Sequence, residues 1–343
     1  MSARPRFARS LAPAFACALA FAFSSTVNAE PKYVIRMAAI APEGTGWARE
    51  VRAFSRELET ETHGEVLVKW YMGGIAGNEL QVLDRIRRGQ LDGAASAGPL
   101  CQKWAPASRV FAVMGLFQSR AELDYVEQQL RSTLDDEFRK AGFVMLGMGD
   151  LGPHVILSKT PLRTLDDFRR LKLFHWDLEE VGLLMSREMG LQVVPLPLEE
   201  AARAYDERRV DAFVSVPTAT LGFQWYTRAH HMLDLRMGFV AGCIALTSRS
   251  FDRLPPEHRR AAMAAAAKLA VRIGEMGRVQ DEQLLGGAFQ KQGVSPSAAT
   301  EELRKQFLSV ARAARERLGA RLVPPELMQR VLALLADYRA EHH

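Results

Sequence analysis

Between Val34 and Ala97 the chain alternates strand-like and helix-like stretches, and no other feature limits its fold as much. Val34 to Ile40 is a short apolar run of strand type. Trp47, Val51, Phe54 and Leu58 then step by four, three and four, which puts them on one face of a helix. Val66 to Tyr71 is rich in branched and aromatic residues and reads as a strand. Gly73 and Gly74 break it, Leu80, Leu83 and Ile86 start a second helix that stops near Gly89, and Leu91 to Ala97 is a third strand. Strand, helix, strand, helix, strand predicts a parallel α/β sheet that takes its ligand at the carboxyl ends of the strands.

A second unit repeats the pattern. Phe143 to Gly149 and His154 to Ser158 read as strands leading away from the first sheet. Leu171 to Trp176, Leu191 to Leu196 and Val210 to Val216 read as strands, with helices over Leu178 to Met189 and Leu198 to Arg208. Phe239 to Thr247 reads as a strand that returns the chain to the first sheet. After Pro255-Pro256, the spacing of Met263, Ala266, Ala270, Ile273, Met276 and Val279 predicts a long helix. Thirty residues of it would span about 45 Å, more than one lobe needs. Helices over 298–318 and 325–340 end the chain. The expected organisation is two α/β lobes joined by crossing strands, lobe I from 30–153 plus 243–285 and lobe II from 154–242 plus 286–343.

The 343 residues carry 45 Lys and Arg against 40 Asp and Glu, a formal charge of +5. Arg4, Arg6 and Arg9 precede the apolar run Leu11 to Phe23 and the small-residue stretch Val27-Asn28-Ala29, the pattern of a secretory signal cleaved after Ala29. That run is too short to span a bilayer. Without those three arginines the balance is 42 against 40, spread without a basic block, which argues against a nucleic-acid partner. Export leaves Cys101 and Cys243. Two cysteines in so long a chain are more often buried free thiols, and that reading is favoured, with pairing left open.

Motifs for chemistry are absent. Gly73, Gly74 and Gly77 lack the Lys-Ser/Thr of a nucleotide loop, and Gly44-Thr45-Gly46 lacks the third glycine of a dinucleotide fingerprint. No Gly-x-Ser-x-Gly occurs, and Ser215 has no identifiable base. His230-His231, and the distant His154 and His175, have no ligand spacing around them, so neither a metal nor a cofactor is expected. The pairs Glu179-Glu180 and Glu199-Glu200 stand at helix starts, where the dipole favours negative charge.

Four stretches in order resemble one family: Gly73-Gly74-Ile75-Ala76-Gly77-Asn78-Glu79 with Ile86-Arg87-Arg88-Gly89-Gln90-Leu91-Asp92; Thr160-Pro161-Leu162 with Leu165-Asp166-Asp167-Phe168 and Leu171-Lys172-Leu173; Val210-Asp211-Ala212 through Pro217; and the long helix after Leu254-Pro255-Pro256. The chain resembles the substrate-binding proteins of tripartite ATP-independent periplasmic (TRAP) transporters, the DctP family, over almost all of 31–343. The resemblance implies a two-lobed periplasmic binding protein of type II-like α/β fold, with a long helix spanning both lobes. It also implies a small-molecule ligand, a TRAP membrane permease as partner, and no enzymatic step.

Phe174 stands where most members of that family place an arginine for the substrate's carboxylate, in Lys172-Leu173-Phe174-His175-Trp176. Arginine offers a planar bidentate fork and phenylalanine none. Val216 replaces a second polar anchor, with Ser215 beside it. This resembles the arginine-lacking, TatP-type branch, which implies a hydrophobic or amphipathic, lipid-like ligand and a TatT-like helical-repeat partner. The expected cleft takes Glu43, Trp47, Tyr71, Asn78, Ser96, Trp104 and Asp150 from the first lobe. From the second it takes His154, Phe174, His175, Trp176, Ser215, Val216, Thr218, Phe223, Trp225 and Tyr226. Alternating strand residues face opposite sides, so Phe174 and Trp176 share one face of their strand while Leu173 and His175 share the other. Two rivals remain: a small organic acid held by a stand-in cation such as Arg49 or Arg228, and an exported hydrolase or sensor domain.

Overall fold

The computed structural model describes residues 30–342, so the expected secretory signal lies outside the described residues. Eleven strands are present among them: β1 (Tyr33–Ala39), β2 (Val66–Tyr71), β3 (Gly93–Ser96), β4 (Phe143–Pro153), β5 (Val155–Ser158), β6 (Lys172–Trp176), β7 (Gln192–Leu196), β8 (Ala212–Ser215), β9 (His231–Asp234), β10 (Phe239–Thr247) and β11 (Ser295–Ala298). They form two sheets, of order β2-β1-β3-β10-β4 and β11-β9-β5-β8-β6-β7. The first sheet is parallel from β2 to β3, and β10 then pairs antiparallel with both β3 and β4. This is the two-sheet α/β architecture of the sequence reading.

The elements follow from local chemistry. Helix Gly46–Glu61 starts at Thr45, whose side chain accepts from the Ala48 amide, and it buries Val51, Phe54 and Leu58. Asn78 opens helix Glu79–Arg87 with a reciprocal capping box to Gln81. Gly93 is demanded by close packing. A Cβ there would overlap the Ala245 carbonyl oxygen of the neighbouring strand and lie 2.8 Å from Met37 Sδ. We expect Gly93→Ala to destabilise the protein by about 2–3 kcal/mol in urea unfolding, the usual cost of overpacking a core. An unchanged midpoint would mean that β3 and β10 separate freely.

The chain passes between the sheets at three places: from β4 through His154 into β5, from β9 to β10, and through the long helix to β11. Helix Pro256–Gln283 has 28 residues, about 42 Å at the usual rise. A π-type segment, Leu284–Ala288, then carries it into Phe289–Lys291. β11 contains Pro296, tolerated because the strand is at the sheet edge.

Several elements go beyond the sequence reading. Helix Arg120–Lys140 has 21 residues and buries Leu123, Val126, Leu130, Leu134 and Phe138. The last helix, Pro325–His342, expected with lobe II, docks on that helix of lobe I. Tyr338 packs 5.0 Å from Tyr125, and Arg339 Nε donates to Glu122 at 2.8 Å. Cys101 and Cys243 are joined as a disulfide, with Cα atoms 5.9 Å apart, which corrects the expectation of free thiols. The correction has a simple cause. Cys243 sits in β10 opposite Ser96, and the turn after Ser96 leads straight into helix Pro99–Trp104, which carries Cys101.

Candidate functional site

Between the two sheets lies a cavity of about 170 Å³, walled by both lobes. From the first lobe come the end of β1 and its loop (Ala39 to Pro42), Trp47, Met72, Ser96 and the middles of β4 and β10. The long helix adds Ala266, Leu269, Ala270 and Ile273. The second lobe contributes Phe174, Trp176, Ser215, Val216, Phe223 and Trp225, and His154 stands at the crossing between the sheets. The strand alternation at β6 works as expected: Phe174 and Trp176 reach this cavity, and His175 faces a smaller neighbouring one.

Phe174 is 1% exposed and is held as much by aromatic packing as by the cavity. Its ring meets Trp225 edge-on at 5.5 Å and Phe213 at 6.1 Å. Trp225 in turn stacks on Phe213 at 4.8 Å and on Phe223 at 5.3 Å. Such pairs add about 0.5–1.5 kcal/mol each beyond burial, so this wall is rigid.

The other expected residues lie elsewhere. Glu43 pairs with Arg52 at the surface, and Tyr71 is exposed. Asn78 spends its side chain on the helix cap. Trp104 is in the core, stacked on Phe143 at 4.4 Å. Asp150 turns away to Arg120, with Arg120 Nε 3.0 Å from its Oδ2. Thr218 is buried and reaches Asp281 Oδ1 at 3.5 Å. Tyr226 packs toward Phe289, with ring centres 6.0 Å apart. In most of these cases a residue near a strand end finds a closer partner than the cleft. Arg49 donates to the Gly44 carbonyl and Arg228 pairs with Asp206, so neither stand-in cation lines the cavity.

Among the described residues, no arginine or lysine lines the cavity, and Glu179 is its one formally charged side chain. The sequence reading missed Glu179 because its place at a helix start already explained it. In the structure it occupies the N-cap of helix Glu180–Glu188 but makes no side-chain capping bond, and points to the cavity instead. Glu180, its neighbour, pairs with Arg109. Burial, reinforced by the nearby Glu79 carboxyl, pushes Glu179 up to about 7. Glu79 is also raised to about 7 by burial, against three bonds that it accepts from Ser96 Oγ and the Ala97 and Leu100 amides. Burial lowers His154 to about 4, with His175 adding to the effect. Burial likewise lowers His175 to about 4, against its bond to the Trp176 carbonyl at 3.2 Å. Both imidazoles are therefore neutral at pH 7, and among the described residues the cavity lining carries no cation.

Ser215 donates its hydroxyl hydrogen to the Val216 carbonyl at 3.3 Å. No group of three or more metal-ligating side chains occurs among the described residues.

Comparison with known proteins accounts for this geometry. The model of the DctP family, bacterial extracellular solute-binding protein family 7, matches residues 37–320. An uncharacterized protein of Haemophilus influenzae is 24% identical over 205 residues, 60% of this chain and 62% of that protein's length. Among solved structures, the sugar acid binding protein of Advenella mimigardefordensis in complex with galactonate superposes with a TM-score of 0.82. It is 19% identical, and the match covers 90% of this chain and 99% of that one. A TRAP periplasmic solute-binding protein of Haemophilus influenzae with bound L-gulonate gives 0.81 at 17% identity, covering 88% of this chain and 99% of that one. Members of this family are transport receptors without an enzymatic step, which disposes of the hydrolase reading. With both sheets, the long helix and a ligand-sized cavity between the lobes in place, the chain belongs to the DctP family of TRAP transporter solute-binding proteins.

Proposed function

We propose that this receptor works in the periplasm, closes its lobes on an apolar or amphipathic solute, and delivers it to a TRAP membrane permease. The observation that carries the ligand class is the lining: aromatic and aliphatic walls with no arginine or lysine among the described residues. A carboxylate entering such a site would give up its water without a charged partner, which is costly. An apolar body would gain roughly 25 cal/mol for each Å² it buries. Closure of one lobe on the other is then driven by the ligand's contacts with both walls. The lobe boundaries near 153/154 and 242/243 belong to this proposal, with the final helix moved to lobe I. So does the placement in the arginine-lacking branch with its TatT-like partner, which rests on the lining alone.

A second reading has its own support. The two quoted structures hold galactonate and L-gulonate, so a small organic acid is the ligand class that the comparisons favour. In this cavity such an acid would rely on the indole nitrogens, or on Ser96 and Ser215 hydroxyls released from Glu79 and the Val216 carbonyl.

Native mass spectrometry of protein purified from its own periplasm, followed by organic extraction, separates the two. We expect an apolar molecule to co-purify and calorimetry with galactonate to show no heat of binding. Salt-sensitive binding of galactonate to the emptied protein would overturn the apolar reading and establish the acid.

A further inference from the structure

We propose that the solute carries a protonated amine, and that Glu179 is the residue that binds it. This deepens the apolar reading and rests on it: the ligand becomes an organic cation with an apolar body. Glu179 alone supplies formal charge to the wall, and no donor within the described protein satisfies its carboxyl. His175 Nδ1, the basic group nearest to it, stands 3.7 Å from Oε2, beyond hydrogen-bond distance.

The surroundings have the sign such a ligand needs. Glu79 approaches from the helix Glu79–Arg87 of the first lobe and adds a second carboxyl. His154 and His175 are neutral at pH 7, and Arg187 acts on His175 in the direction that keeps it so. Arg109, the arginine bonded in the same helix, is taken by Glu180. The Trp47, Trp176 and Phe223 side chains complete a wall of π-systems, whose faces attract ammonium groups and not carboxylates. Glu179 is half-buried and unpaired, and an ammonium ligand would give its carboxyl a charge-assisted partner.

The test uses three probes of equal length on the full mature protein: hexylamine, 1-hexanol and hexanoate, by calorimetry at pH 6 and pH 8. Hexylamine is expected to bind roughly 10- to 100-fold more tightly than hexanol, the gain of one charge-assisted hydrogen bond. Its affinity should rise from pH 6 to pH 8, as Glu179, pushed up to about 7, becomes ionised. Glu179→Gln should erase the preference for amine, bringing hexylamine and hexanol to similar affinity, with an unchanged urea-unfolding midpoint showing that the variant is folded. Equal affinity for amine and alcohol, an undiminished amine preference in the variant, or hexanoate as the tightest probe would each overturn the proposal. If hexanol binds without an amine preference, the apolar reading stands and only the cation falls. If none of the three binds, both fall.

Discussion

Arg120→Ala is expected to cost about 3–5 kcal/mol of stability at pH 8, the range for stripping a buried ionic group of its partner. Arg120 opens helix Arg120–Lys140 and faces two carboxyls at once, with Nε 3.0 Å from Asp150 Oδ2 and Nη2 bonded to Asp281. Asp150 lies on β4 and Asp281 on the long helix, so one guanidinium ties helix Arg120–Lys140 to two elements of the cavity wall. Thr218, just after β8, reaches Asp281 as well at 3.5 Å.

The pH dependence fixes the mechanism of that loss. Burial raises Asp281 to about 6 and also raises Asp150, and in both Arg120 is the main opposing influence. A carboxyl with a raised folded pKa contributes stability that is full below its unfolded value and lost as pH rises through the folded one. Removing Arg120 moves both folded values higher, so the variant's deficit should widen between pH 5 and pH 8. Urea unfolding at the two pH values measures it. A deficit of equal size at both would mean that Arg120 acts by packing and not by charge.

How far the sequence could be read depended on whether a residue's partner is local. Trp47, Val51, Phe54 and Leu58 gave their helix because periodicity is local, and Phe174 and Trp176 shared a face because strand alternation is local. The strands β9 and β11 have four residues each and no pattern of their own, and exist because a sheet edge offers them hydrogen bonds. Helix Arg120–Lys140 had a legible stripe, Leu123, Val126, Leu130, Leu134 and Phe138, after the Ser119 cap, and was passed over among many charged residues. At the site, the expected residues that lie outside the cavity share one cause. Asn78 in the loop after β2, Asp150 in β4 and Thr218 just after β8 are polar residues where a ligand contact is expected, yet each is used by the protein itself. Glu179 is the reverse case, a residue with an adequate local explanation whose side chain takes no part in it.

Replacing both cysteines by serine should show the largest single change in melting behaviour. The Cys101–Cys243 bond closes a loop with a sequence separation of 142. Loop-closure entropy for that length corresponds to about 5 kcal/mol. A domain of this size loses roughly 2–4 °C per kcal/mol, so the melting temperature should fall by about 10–20 °C. Dithiothreitol should lower the wild-type value toward that of the double variant and leave the variant itself unmoved. A wild-type melting curve indifferent to the reductant would return the two residues to buried free thiols. The bond also bears on binding, because Cys243 and its neighbour Gly242 line the cavity while Cys101 borders the smaller one beside Glu179. Without the bond, β10 and helix Pro99–Trp104 are held only by non-covalent packing. The wall that Trp176 and Phe223 close against then loses rigidity, and affinity for any solute should fall with the melting temperature. An oxidising compartment is where such a bond persists, so the fold and the proposed periplasmic location depend on the same chemistry.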